Sequence, residues 1–237
     1  MLILLVFSCK KANERKCWKG SGNKAYKTIQ MATFDKLTLR EHLKYVLIQD
    51  STFEIEIDGY ENLNDLISCE IVDGRLTIQN HNKCNFLRYK KSDITVKIHC
   101  AKLSEINFMG SDSLTNTGVF KLDFLKVSLS EGGGSVKLKV DGNGMNVENP
   151  YGWGDISLGG NINNLRLDMD GDGYFDTRSL SVNAELAIMT KTSSLCKVNG
   201  EGAAMKVEIN NAGDIWYYGA PVSLYKHLYG TGKLIQK

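Results

Sequence analysis

Residues 125–138 read LKVSLSEGGGSVKL, 145–158 MNVENPYGWGDISL, 165–175 LRLDMDGDGYF, 186–198 LAIMTKTSSLCKV and 205–217 MKVEINNAGDIWY. Each segment opens on an apolar-x-apolar pair, passes a turn and enters a second short alternating run. The pairs begin at Leu125, Met145, Leu165, Leu186 and Met205, spaced by 20, 20, 21 and 19 residues. The turn positions Gly134, Gly154, Gly173, Ser194 and Gly213 keep nearly the same spacing. Two independent landmarks holding one period over five copies identify a repeat architecture.

A unit of about 20 residues with two short strands cannot bury its own apolar face. Stacking solves this, because each coil covers the next and backbone ladders join coils about 4.8 Å apart. Val127, Val147, Leu167, Ile188 and Val207 then form one internal stack. Glycine recurs at corners that need positive φ or close backbone approach. The period is too short for a propeller blade, and no helix fills the second half of the unit as most leucine-rich repeats require. The expected fold is all-β: a single-domain, right-handed parallel β-helix, or solenoid, with coils of about 20 residues. A sandwich of hairpins is the rival, and the constant spacing argues against it.

Working outward, Leu103 to Phe108 reads as an earlier copy, 22 residues before Leu125. Lys44 to Ile48, Thr52 to Ile57, Ile71 to Ile78 and Ile94 to Ile98 alternate as half-buried strands and supply irregular first coils. Glu61 to Ser68 is the one stretch that suits a short helix.

The chain has 237 residues, 42% hydrophobic and 24% charged, which excludes wholesale disorder. Residues 10–24, KKANERKCWKGSGNK, hold six basic side chains and one acidic, with no apolar period. They read as a solvated tether of charge +5, leaving −3 on residues 25–237 of a chain whose total is +2. The basic balance therefore gives no reason to expect nucleic acid. Before the tether, Met1-Leu-Ile-Leu-Leu-Val-Phe-Ser-Cys9 resembles a signal-peptide remnant ending in a lipobox, with Cys9 as the lipidated residue. The expected division is 1–9 signal remnant, 10–24 tether and 25–237 solenoid. Of the other cysteines, Cys69–Cys84 or Cys84–Cys100 are the candidate bridges for an exported chain. No Cys/His set has the four-ligand spacing of structural zinc.

Gly213-Asp-Ile-Trp-Tyr-Tyr-Gly-Ala-Pro221 and Gly230-Thr-Gly-Lys-Leu-Ile235 resemble the end of the head-GIN domain family, described as auto-transporter adhesins and found largely as bacterial envelope lipoproteins. Gly152-Trp-Gly-Asp-Ile156 and Gly171-Asp-Gly-Tyr-Phe175 echo its repeated turns, and Phe34-Asp-Lys-Leu37 and Val72-Asp-Gly-Arg-Leu-Thr-Ile78 fit its first half. The turn at Ser193-Ser-Leu-Cys196 departs by losing its glycine, and Gly132-Gly-Gly-Ser135 lacks the aspartate. The resemblance spans about residues 25–237. It implies a β-solenoid with a surface or envelope role and supplies no catalytic residues.

Asp168-Met-Asp-Gly-Asp-Gly-Tyr-Phe-Asp176 imitates an EF-hand loop, but position 12 is Ser179 instead of the bidentate glutamate. Solvated corners are the expectation there, with no metal and no cofactor. The same aspartates with Arg166 or Arg178 could be cast as a β-helix lyase or hydrolase site. However, no nucleophile elbow, Walker loop or H-E-x-x-H accompanies them, and fold analogy is a poor warrant for activity. Aromatic side chains are the remaining candidates: Trp153 between two turn glycines, and Trp216 and Tyr217 near the end. Trp216 with Tyr218 could instead cap the last hydrophobic layer. The function expected is a non-enzymatic envelope or surface module, lipid-anchored to the outer membrane, with a cell-surface polysaccharide or a protein as partner. A carbohydrate-active enzyme is the alternative, and a purely structural scaffold the third reading.

Overall fold

A computed structural model describes residues 20–82 and 93–237. Cys9, Cys17, Cys84 and nearly all of the tether lie outside the described residues. Every long element is a strand: β1 (Lys24–Gln30), β2 (Lys36–Glu41), β3 (Lys44–Gln49), β4 (Glu54–Tyr60), β5 (Ile67–Val72), β6 (Arg75–Asn80), β7 (Thr95–Cys100), β8 (Glu105–Gly110) and β9 (Ser113–Asn116) make up the first half. The second half holds β10 (Phe120–Leu129), β11 (Ser135–Asn149), β12 (Asp155–Met169), β13 (Phe175–Thr190), β14 (Cys196–Asn199), β15 (Ala204–Ile209), β16 (Ile215–Tyr218), β17 (Ser223–Leu228) and β18 (Leu234–Gln236).

Parallel ladders join successive coils, so the solenoid expectation holds. On a first face the stacking order is β6, β2, β8, the C-terminal halves of β10 to β13, then β15 and β17. On a second face it is β7, β3, β9, the N-terminal halves of β11 to β13, then β14, β16 and β18. Because side chains alternate along a strand, registered neighbours form rows. The expected internal stack is one such row, extended to Leu76, Leu37, Ile106, Val127, Val147, Leu167, Ile188 and Val207, all buried. The facing row runs Val96, Tyr45, Leu114, Val136, Ile156, Phe175, Cys196 and Ile215.

Three features differ from the sequence reading. First, the two short strands of each unit fuse in β11, β12 and β13, which run 15, 15 and 16 residues around a bend. Gly142 and Gly160 sit at the bends, where an added Cβ would come within 1.8 Å of Leu122 O and 2.0 Å of Val140 O. The bends add a third face, carrying Phe120–Phe124 and its registered neighbours.

Second, chain order is not stacking order. The coil of β2 and β3 lies between the later coil of β6 and β7 and that of β8 and β9. The excursion is made by antiparallel strands: β4 pairs with β7, β1 with β4, and β5 with β6. These close the N-terminal end. Ile71 to Ile78, read as one strand, is instead the β5–β6 hairpin. Its turn, Asp73-Gly74, has φ of 48° and 74°, the left-handed pair that a two-residue hairpin requires.

Third, the helix expected over 61–68 is reduced to a single 3-10 turn, Asn64–Leu66, before β5 begins at Ile67. Asn64 is buried there because its amide ties two cap strands together. Its Oδ1 accepts from Tyr60 N at 2.9 Å and its Nδ2 donates to Ala25 O at 3.0 Å.

Candidate functional site

An outward row on the first face runs Lys126, Asn146, Arg166, Ala187, Lys206 and Tyr225, one residue per coil. Its neighbour runs Ser128, Glu148, Asp168, Met189, Glu208 and His227. At the edge of the third face, Phe124, Gly144, Asn164 and Glu185 align. Where a row of long side chains meets a small residue, the surface sinks by one side chain. Gly144 lies between Phe124 and Asn164, and Ala187 between Arg166 and Lys206. The two resulting depressions measure about 370 and 330 Å³ and share Arg166, Glu185 and Ala187, so they adjoin end to end and line up as a groove along the solenoid axis. From the coil of Phe124 to that of Tyr225 is five coil steps, about 24 Å.

The groove combines aromatic surface with paired charges. Phe124 is 52% exposed and Tyr225 61% exposed, at opposite ends. Tyr225 meets the His227 ring edge-on at 4.6 Å between centroids, and His227 stacks on Tyr229 at 5.7 Å. Arg166 Nε donates to Asp168 Oδ2 at 2.7 Å, and Lys206 Nζ to Glu185 Oε2 at 2.8 Å. Asp168 holds the Arg166 guanidinium above its ordinary pKa. The second oxygen, Asp168 Oδ1, is shielded from solvent and accepts no hydrogen bond. Along the rim, Asn143 Nδ2 donates to Asp123 Oδ1 at 2.6 Å and Asn163 Nδ2 to Asn143 Oδ1 at 3.2 Å. Asn183 Nδ2 continues the ladder to Asn163 Oδ1 at 3.5 Å. Such a site offers ring faces, hydrogen-bond donors and acceptors in a line.

Sequence reasoning placed candidate aromatics elsewhere, and the structure does not bring them together. Trp153 is 74% exposed at a corner beside Tyr151, which is more exposed still. Tyr217 turns inward at 9% exposure, its hydroxyl 3.3 Å from Gln236 Oε1. Trp216, the adjacent residue, must point outward. It is held between its own lysines, with Lys197 Nζ 5.1 Å and Lys237 Nζ 4.3 Å from the ring. Neither Trp216 nor Tyr218 closes the solenoid, because β18 continues the ladder beyond β16. The EF-hand-like aspartates take separate partners: Asp170 pairs with Lys191, Asp172 accepts from Thr192, and Asp176 pairs with Arg178. Cys69, Cys100 and Cys196 are free thiols, while Cys84, common to both candidate bridges, lies outside the described residues.

The groove was partly legible. Asp123, Asn143, Asn163 and Asn183 are spaced by 20 residues each, a third copy of the period. Ala187 and Gly144 carry no such signal, because a depression depends on what lies beside a residue in the neighbouring coils.

Comparison with known proteins agrees with this architecture. A crystal structure of a putative adhesin from Bacteroides fragilis superposes with a TM-score of 0.75 at 18% identity, covering 91% of this chain and 97% of its own. A putative lipid binding protein from Parabacteroides distasonis gives 0.68 at 18%, covering 91% and 98%. A putative adhesin from the same species gives 0.63 at 18%, covering 92% and 98%. At these identities the likeness is one of fold. No curated protein matches the sequence. The family profile described as "Putative auto-transporter adhesin, head GIN domain" matches residues 33–221, and the chain belongs to that family.

Proposed function

We propose that this protein is a non-enzymatic binding module of the bacterial envelope that lays an extended, hydroxyl-rich polymer, such as a cell-surface polysaccharide, along the axial groove. The observation that carries the reading is the groove's form. A trough about 24 Å long, with an aromatic ring at each end and charged pairs between, suits several units of a chain better than one small molecule. The exposed heads of Arg166 and Lys206 would donate to sugar hydroxyls, and Phe124 and Tyr225 would stack on sugar faces. Trp153 and Tyr151 would add contacts at the corner. The family membership supports an adhesin-like role and a place at the cell surface or in the envelope. Cys9 would carry the lipid anchor to the outer membrane, with residues 10–24 as the tether. No observation favours a reaction: Asp168 and Glu185 are each held by a cation of the groove itself.

A glycan panel read for both binding and products tests this. Binding without turnover is expected, and Tyr225→Ala or Arg166→Ala should weaken it about tenfold, or ~1.4 kcal/mol. Unchanged binding in both variants would remove the groove from the reading, and product formation would revive the enzyme. For the address, protease treatment of intact cells should digest the tagged wild type. Protection until the outer membrane is opened would place the protein in the periplasm and end the direct adhesin reading. A Cys9→Ala form should leave the membrane fraction.

A further inference from the structure

We propose that Glu54, Glu56 and His99 form a binding site for a divalent transition-metal cation, remote from the groove. Glu54 and Glu56 share one face of β4 because they are two residues apart, and the antiparallel register sets Glu54 directly opposite His99 on β7. One ligand atom from each of the three lies within 4.8 Å of the others. Imidazole with two carboxylates is a borderline donor set that suits Zn²⁺, Co²⁺ or Mn²⁺.

The histidine is prepared for this from behind. His99 Nδ1 lies 2.7 Å from Asp50 Oδ2. Asp50 is itself fixed, because its Oδ1 accepts from Thr52 N at 2.9 Å and Thr52 Oγ1 at 2.7 Å. With Nδ1 donating to this carboxylate, the Nε2 lone pair would face Glu56, the arrangement found behind metal-ligating imidazoles. His99 Nε2 is shielded from water and has no hydrogen-bond partner, with the side chain 15% exposed. Its nearest carboxylate oxygen, Glu56 Oε1, is 3.8 Å away, beyond hydrogen-bonding range. Two donors at ~2.0–2.1 Å from a tetrahedral ion lie about 3.3 Å apart, so the His99–Glu56 pair would close by about half an ångström, and Glu54, within 4.8 Å of both, would move in by up to about 1.5 Å.

Gln30, which donates to Glu54 Oε2, the Tyr26 hydroxyl, which bonds Glu56, and Lys97 Nζ are the local competitors. Lys97 Nζ bonds Glu56 Oε2 at 2.8 Å and leaves Oε1 toward the histidine. With Asp50, Glu54 and Glu56 ionised and Lys97 charged, the cluster carries −2, which a divalent ion neutralises. Ligands on β4 and β7 would make the ion a staple across the antiparallel cap.

The test uses the full-length protein stripped with chelator, then Zn²⁺ titration by calorimetry and thermal melting, with Co²⁺ absorption as a ligand-type probe. Expected are one Zn²⁺ per chain, a raised melting temperature and a Co²⁺ spectrum without thiolate charge-transfer bands. Glu54→Gln and His99→Gln should each weaken binding at least tenfold, and Asp50→Asn about 10–100-fold. Glu54→Gln preserves size at a half-buried position and guards against misfolding of the histidine variant. No saturable binding in the parent would overturn the site. So would equal binding by parent and Glu54→Gln, or a thiolate spectrum, which would move any ion to the cysteines.

Discussion

Burial decides the behaviour of single residues in this solenoid, and the thiols show it most directly. Cys196 occupies a core position between Phe175 and Ile215, where the other coils carry aliphatic or aromatic side chains. Burial pushes its thiol well above the ordinary cysteine pKa, that of Cys100 up to about 12 and that of Cys69 up to about 11. A raised acid pKa means the folded state keeps the neutral thiol. At pH 8 the thiolate fraction of Cys69 is therefore about 100-fold below that of an unperturbed thiol. Alkylation of the native protein at pH 8, read site by site by peptide mass spectrometry, should spare Cys100 and Cys196 and modify Cys69 slowly. Urea should make all three react. Rapid native labelling of Cys196 would mean that the coil is not closed there. The same sign applies to stability: the protection is complete below about pH 9 and declines as the unfolded chain's thiols ionise above it.

At the scale of the element, the corner explains why glycine keeps the period. Gly134, Gly154, Gly173 and Gly213 do not adopt positive φ. They are needed because coils meet backbone to backbone. A Cβ on Gly173 would sit 2.1 Å from Gly154 O and 2.6 Å from Asn149 Nδ2, and one on Gly154 would sit 2.8 Å from Gly134 O. Gly173→Ala should cost about 1–3 kcal/mol in urea unfolding. Gly133→Ala, one residue from a corner glycine but with open space around its Cβ, should stay within about 0.5 kcal/mol. Equal effects would show that spacing between coils is not the constraint. Ser194, the one corner without glycine, contributes its carbonyl to the crowding instead: a Cβ on Gly213 would sit 2.4 Å from Ser194 O.

The whole molecule has two unlike ends. Antiparallel strands β1, β4 and β5 cover the first coils, whereas β17 is exposed along its whole length and among the described residues pairs only with β15. An open coil with Leu224 and Leu228 on its core-facing side is a template for another strand. The internal row that starts at Leu76 answers this at its far end, because the position after Val207 is Lys226. A charge at the last inward position makes docking of a further apolar layer unfavourable. Lys226→Leu should therefore give concentration-dependent association in light scattering while the monomer's melting temperature stays the same or rises. A strictly monomeric variant would show that another feature protects the edge.

Much of this was written locally. The 20-residue period, the inward row from Val127 to Val207, the glycine corners and the outward Trp153 follow from short-range chemistry, because a strand's alternation and a coil's length are properties of contiguous residues. The head-GIN resemblance rested on contiguous stretches for the same reason. Other features depended on which coils became neighbours. The insertion of the β2–β3 coil between later ones, the groove at Gly144 and Ala187 and the meeting of His99 with Glu54, Glu56 and Asp50 join residues that are 20 to 50 positions apart or more. Alternation says that a side chain points outward, but only stacking order says what stands beside it. That is why the sequence determined a solenoid and its repeat, while the tertiary structure decided where the solenoid has a cap, a trough and a cluster of ligands.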